Sequence, residues 1–224
     1  MSKTQFNAIL FDLDGTLIDT AYDMIYALKE VNNNNNNDIS LSDEEMRNCV
    51  SDGSLGLIKL AFPAISINTI KTLQNDFLRI YENNLCKKTV IFEPLDELLS
   101  YLEIHNIKWG IVTNKPCRMT LKLLHKLNID CPYVISGDTL STRKPDPKPL
   151  YIACELMNIT SENVIYVGDA CRDIKAGKDA KMTTITAKYG YIKHNDDPNL
   201  WGADFNAASP SDLSNLVKNL LGEF

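Results

Sequence analysis

Phe11-Asp12-Leu13-Asp14-Gly15-Thr16 is the stretch on which the reading of this chain turns. Just upstream, Ala8-Ile9-Leu10-Phe11 is a short apolar run of the kind that fills a parallel strand buried on both faces, and two acids arrive where that strand should end. In extended chain, residues two apart point to the same side, so Asp12 and Asp14 are expected to present two carboxylates to one small volume. Like charges that close raise each other's pKa unless a cation sits between them, so the pair asks for a metal or a held proton. Gly15 permits the sharp turn that follows. Taken alone, the motif also fits a solvated strand end, because Asp and Gly are ordinary turn residues.

Working outward toward the C-terminus, helix and strand signals alternate from Pro94 onward. A helix is expected over 95–102, a strand over 107–112 ending at Thr113-Asn114-Lys115, a helix over 118–127 and a strand around 133–135. Pro149 should open a further helix, Val164-Ile165-Tyr166-Val167 is again a wholly apolar strand, and Gly168-Asp169 ends it, with Asp173 four residues on. A helix over 175–180, a strand over 183–187 and a terminal helix over 211–221 complete the series. Strands alternating with helices imply an α/β, doubly wound parallel sheet of Rossmann-like type.

Between the first strand and this series only helical signals occur. Apolar spacing from residue 20 to 30 predicts a helix, with Thr20 and Asp23 as a capping box, and the six asparagines at 32–37 predict a mobile surface loop. Ser42 and Glu45 form a second capping box, and a long helix is expected over 69–85. The expected domains are therefore a catalytic α/β core of residues 1–18 and 89–224 and a small inserted all-α cap domain of residues 19–88.

Composition narrows the partners. At 224 residues the chain can bury a sizeable core, and 29 acidic against 23 basic residues leave a net charge of -6, which offers no footprint for nucleic acid or anionic lipid. Residues 1–5 lead into the first strand without an apolar signal region, and no apolar run approaches membrane-spanning length. Cys49, Cys86, Cys117, Cys131, Cys154 and Cys171 contain no C-x-x-C pair, which suits free thiols in a reducing compartment. The expectation is a cytoplasmic protein, a monomer or homodimer, whose partners are small metabolites or other proteins, with no nucleic-acid or membrane partner.

Polar groups thus gather at the carboxyl ends of separate strands: Asp12 and Asp14, Thr113 and Asn114, then Asp169, with Lys144 in a loop that can reach the same edge. Open parallel sheets bind ligands there. Carboxylates hold Mg²⁺ through hard oxygen ligands, and Lys and Thr donate to phosphate oxygens, so the set suits a divalent metal and a phosphoryl group.

In this order the residues resemble the four motifs of the haloacid dehalogenase superfamily of phosphohydrolases: Asp12-Leu13-Asp14-Gly15-Thr16, then Thr113, then Lys144, then Gly168-Asp169 with Asp173. Val112-Thr113-Asn114-Lys115-Pro116, Arg143-Lys144-Pro145-Asp146-Pro147 and Tyr189-Gly190-Tyr191 are similar to the phosphoglycolate phosphatase branch. Within it, Tyr191-Ile192, Asp197-Pro198 and Trp201-Gly202-Ala203-Asp204 resemble proteobacterial phosphatases acting on N-acetylmuramic acid 6-phosphate. The resemblance implies a small phosphorylated metabolite as substrate, a Mg²⁺ cofactor and an aspartyl-phosphate intermediate. Asp12 would be the nucleophile and Asp14 the acid and then base, with Thr113, Asn114 and Lys144 on the phosphate. Asp12, the backbone oxygen of Asp14 and Asp169 would hold the metal, and Asp173 would orient its water.

Substrate selection is expected from the cap, where Ser51, Asp52 and Gly53 should face the site although that loop has no cation, and from Arg172 in the core. Asp19 is expected to cap a helix or serve as a hinge. Two other readings fit the acids: a phosphosugar mutase, which keeps the intermediate from water, and a non-enzymatic binding module on the same fold, against which the full set of acids, Thr113 and Lys144 argues.

Overall fold

The computed structural model describes residues 6–37 and 40–222. The stretch 1–5, expected to lack a signal region, lies outside them. Six parallel strands form one sheet in the order β5-β4-β1-β6-β7-β8. They are β1 (Ala8–Phe11), β4 (Lys108–Val112), β5 (Val134–Ile135), β6 (Val164–Gly168), β7 (Thr183–Ala187) and β8 (Phe205–Ala207). β1 lies centrally, with Phe11 opposite Ile111 on one side and Val167 on the other. This register sets the ends of β1, β4 and β6 side by side, so the polar residues following each share one edge.

Alternation along β1 explains why all four of its residues are apolar. Ile9 and Phe11 pack on one face with α5 (Leu95–Ile104), α6 (Cys117–Lys126) and α9 (Pro210–Leu221), while Ala8 and Leu10 pack on the other with α7 (Lys148–Met157) and the end of α8 (Cys171–Asp179). Both faces are covered, as an all-parallel sheet requires.

Four helices lie between two strand pairs of the chain: α1 (Ala21–Asn34), α2 (Asp43–Asn48), α3 (Gly53–Ala61) and α4 (Ile67–Asn83), with a 3-10 turn at Val50–Asp52. The chain enters and leaves this insertion through a two-residue antiparallel ladder of β2 (Ile18–Asp19) and β3 (Val90–Ile91), which pairs Ile18 with Ile91 and Asp19 with Val90. Neither short strand was expected. β8 was likewise unexpected, because three residues of Phe-Asn-Ala carry no periodic signal.

Three local expectations are corrected. Thr20 and Asp23 make no capping box: the Thr20 hydroxyl donates to Asp14 Oδ1 at 2.6 Å, and the Asp23 carboxylate accepts from the backbone N–H of Lys88 and Thr89 and from the Thr89 hydroxyl. Tertiary partners outbid the local cap. The asparagine tract is not loop throughout, since α1 runs through Asn34, Asn32 is buried, and the Asn37 amide donates to Asn32 Oδ1 and to Ala61 O. Finally, α8 begins at Cys171 rather than 175, because Asp173 Oδ2 accepts from the Ala170 N–H at 3.1 Å and caps the helix. The Ser42–Glu45 capping box forms as expected.

Candidate active site

The turn after β1 is built on Gly15, whose φ of +79° lies in the left-handed region. A Cβ there would stand 2.2 Å from Asp169 Oδ2, so only glycine lets the first loop approach the Asp169 carboxylate. Gly168 does the same for the fourth: a Cβ on it would stand 2.3 Å from the Asp173 Cβ.

Around these turns Asp12, Asp169 and Asp173 are all buried, and one oxygen of each lies within 4.8 Å of the others. Lys144, also buried, places its Nζ 2.8 Å from both Asp12 Oδ1 and Asp173 Oδ1 and donates to Val112 O and the Tyr166 hydroxyl. Burial pushes the Asp12 carboxyl up, but the charges of Lys144 and Arg172 outweigh it and hold Asp12 below the ordinary carboxylate range. Asp173 is raised by burial. Asp169 is pushed up to about 7, first by burial and then by the charges of Asp12 and Asp173. Its Oδ2 accepts from the Ser51 hydroxyl at 2.6 Å and the Tyr191 N–H at 2.9 Å, while its buried Oδ1 has no hydrogen-bond partner. Three clustered buried acids, one of them with an orphaned carboxylate oxygen, are a donor set that fits a hard cation.

Asp14 does not share this volume by its carboxylate. Its oxygens are held by Lys115 Nζ at 2.9 and 3.2 Å and by Thr20. The expectation of two carboxylates crowded together is thus met by separation, each acid having its own lysine.

Thr113 is buried, and its hydroxyl accepts from the Lys115 N–H. Asn114 trades hydrogen bonds with the Lys144 backbone, Nδ2 to O at 3.0 Å and N–H to Oδ1 at 3.1 Å, so it steers the Lys144 loop and keeps one amide N–H for a ligand. Asp12, Asp14, Thr113, Asn114, Lys115 and Lys144 line one cavity of about 860 Å³, whereas Asp169 and Asp173 are not among its lining residues. Ser51, Asp52, Gly53 and Arg172 line it as expected. Asp52 is ion-paired with Lys193. The loop 50–54 carries no cation, but Lys59, one helical turn further along α3, lines the cavity together with Arg143, Arg172, Lys115 and Lys144. Sequence reasoning assigned no role to Lys59, Gln74, Tyr81 or Lys115. Of these only Lys115 stood inside a quoted motif; the others lie on cap helices whose facing surface only packing reveals.

Chain, fold and site together place the protein in the haloacid dehalogenase-like hydrolase family, whose pattern it matches over residues 9–187. The chain belongs to that family and is an enzyme of the phosphoric monoester hydrolase type. It is 34% identical to the N-acetylmuramic acid 6-phosphate phosphatase of Pseudomonas putida over 97% of this chain and 98% of the other. It is 36% identical to the phosphoglycolate phosphatase of Xanthomonas campestris pv. campestris over 92% and 94%. The fold is that of a crystal structure described as a predicted phosphoglycolate phosphatase from Haemophilus somnus, with a TM-score of 0.85, 24% identity and coverage of 96% and 99%.

Proposed function

We propose that the chain is a Mg²⁺-dependent phosphatase that passes the phosphoryl group of a small metabolite first to Asp12 and then to water. The observation that carries this is the Asp12 carboxylate, kept ionised by Lys144 at the end of β1 and opening on the cavity that also holds Asp14. In the first step an Asp12 oxygen bonds to phosphorus while the P–O bond to the leaving group breaks. Asp14 gives its proton to the departing oxygen. In the second step water attacks phosphorus, Asp14 takes a water proton, and the electron pair of the acyl-phosphate bond returns to Asp12.

Lys144, Thr113 and the remaining amide N–H of Asn114 serve the phosphate oxygens. Asp12, Asp169 with its orphaned oxygen, Asp173 and the backbone oxygen of Asp14 are the groups that would hold Mg²⁺. When bound, the ion neutralises the repulsion between the phosphate and the carboxylate nucleophile. Residues 19–88 act as the cap. Among the described residues no helix is long and apolar enough to cross a membrane, and the six cysteines are free, which supports a cytoplasmic setting.

For the substrate, the cavity volume favours N-acetylmuramic acid 6-phosphate over phosphoglycolate, since about 860 Å³ has room for a phosphorylated amino-sugar acid and a two-carbon acid leaves nearly all of it empty. Arg172 donates no hydrogen bond to any described residue, and burial lowers its pKa while Asp173, Asp12 and Asp169 raise it further, so it stays a cation facing the cavity. The test is phosphate release from both compounds, and from sugar phosphates lacking a carboxylate, with Mg²⁺. A higher kcat/KM for phosphoglycolate would reverse the substrate assignment, and no release from any monoester would end the phosphatase reading.

A further inference from the structure

Lys115 has no part in the steps above, yet it is placed at their centre. It follows β4 by three residues, and its side chain is 5% exposed. Its Nζ reaches both Asp14 oxygens and also donates to the Tyr81 hydroxyl at 2.9 Å, lying 4.6 Å from the centre of that ring. Tyr81 belongs to α4 of the inserted helices and is itself buried. Thr20, at the start of the same insertion, holds Asp14 Oδ1 from a second direction. The Asp14 carboxylate is therefore oriented by one core lysine and one hinge hydroxyl, and the lysine is steadied from the cap.

We propose that Lys115 is a positioning residue for Asp14, with Tyr81 as its cap-side support, so that the acid–base carboxylate meets the leaving oxygen in a fixed orientation. The proposal rests on the acid–base reading of Asp14. A carboxylate two single bonds from its backbone would otherwise sample several rotamers, and a misplacement on the order of 1 Å at a reacting group costs about a hundredfold in rate. A lysine that merely neutralised a half-buried acid would have no need of a cap hydroxyl on the same nitrogen.

The test uses Lys115→Met, Lys115→Arg, Tyr81→Phe and Asp14→Asn, each first checked for native melting. Single-turnover rates are measured with Mg²⁺ on the best alkyl phosphomonoester of the panel and on p-nitrophenyl phosphate, whose leaving group departs without a proton. Lys115→Met should lower kcat on the alkyl ester about a hundredfold with KM within about threefold, while the p-nitrophenol burst stays within about threefold. Lys115→Arg should restore part of the loss. Tyr81→Phe, which removes one hydroxyl and serves if Lys115→Met does not fold, should show the same leaving-group selectivity at about a fivefold loss. A raised KM at unchanged kcat, or equal losses on both substrates, overturns the positioning role. If Asp14→Asn shows the selectivity and Lys115→Met does not, only this inference falls. If Asp14→Asn also loses both equally, the acid–base reading falls with it.

Discussion

Asp12 faces Lys144 and Asp14 faces Lys115, and this division of partners separates the proposed nucleophile from the proposed acid two residues away. Asp12→Asn keeps the shape and removes the nucleophile, so steady-state turnover of undeamidated protein should fall by more than about a thousandfold; a loss under about tenfold would rule out the covalent route. Asp169 allows a test through pH. Its folded pKa of about 7 lies above the unfolded value, so the folded state binds the extra proton, and the group's contribution to stability is present at low pH and lost as pH rises from about 4 to about 7. A cation displaces that proton. The rise in melting temperature given by Mg²⁺ should therefore grow between about pH 5 and about pH 8, and a rise independent of pH would remove Asp169 from the metal shell.

At the scale of elements, the insertion is fastened where it leaves and rejoins the sheet. The Tyr191 hydroxyl accepts from the Thr20 and Ala21 N–H groups at 2.7 and 3.1 Å and donates to Asp19 Oδ1, while Arg47 of α2 pairs with Asp19 and lies over the Tyr191 ring. Asp19 Oδ1 also accepts from the Ala21 N–H, so this carboxylate ties the start of α1 to Tyr191 and Arg47. At the exit, Asp23 collects the Lys88 and Thr89 N–H groups. Asp23→Ala strands both, with the Thr89 hydroxyl, at a site where Asp23 and Thr89 are buried, and should cost about 2 kcal/mol. A shifted urea midpoint at unchanged slope measures it. Tyr191→Phe should cost about 1–2 kcal/mol by the same route, since two buried N–H groups share that one oxygen.

Across the whole molecule, the helical insertion covers the sheet edge. Ser51 reaches Asp169, Asp52 pairs with Lys193, and the cavity is walled by both parts. Phosphoryl transfer needs water excluded, and the insertion is the block placed to do so. With Mg²⁺ and beryllium fluoride on Asp12, amide exchange over residues 50–57 should slow, while residues 35–37 should not respond. Unchanged exchange over 50–57 with protected core motifs would mean that the cap does not gate the site.

Much of this was legible in the chain. The strands β1, β4 and β6 are nearly continuous apolar runs, and the polar residues that end them follow within one to three positions, so both the parallel sheet and its loaded edge are written in local pattern. The short ladder β2–β3, the strand β8 and the fate of Thr20 were not, because two or three residues carry no period and a hydroxyl at a helix start takes whichever partner tertiary packing offers. The sequence by itself determined the fold class, the acids and their order. Only the tertiary structure decided that Asp14 belongs with Lys115 and Tyr81 rather than with Asp12, that Asn114 steers Lys144, and that Lys59 and Gln74 line the cavity, because those meetings join residues far apart in the chain and depend on helix packing, not on local spacing.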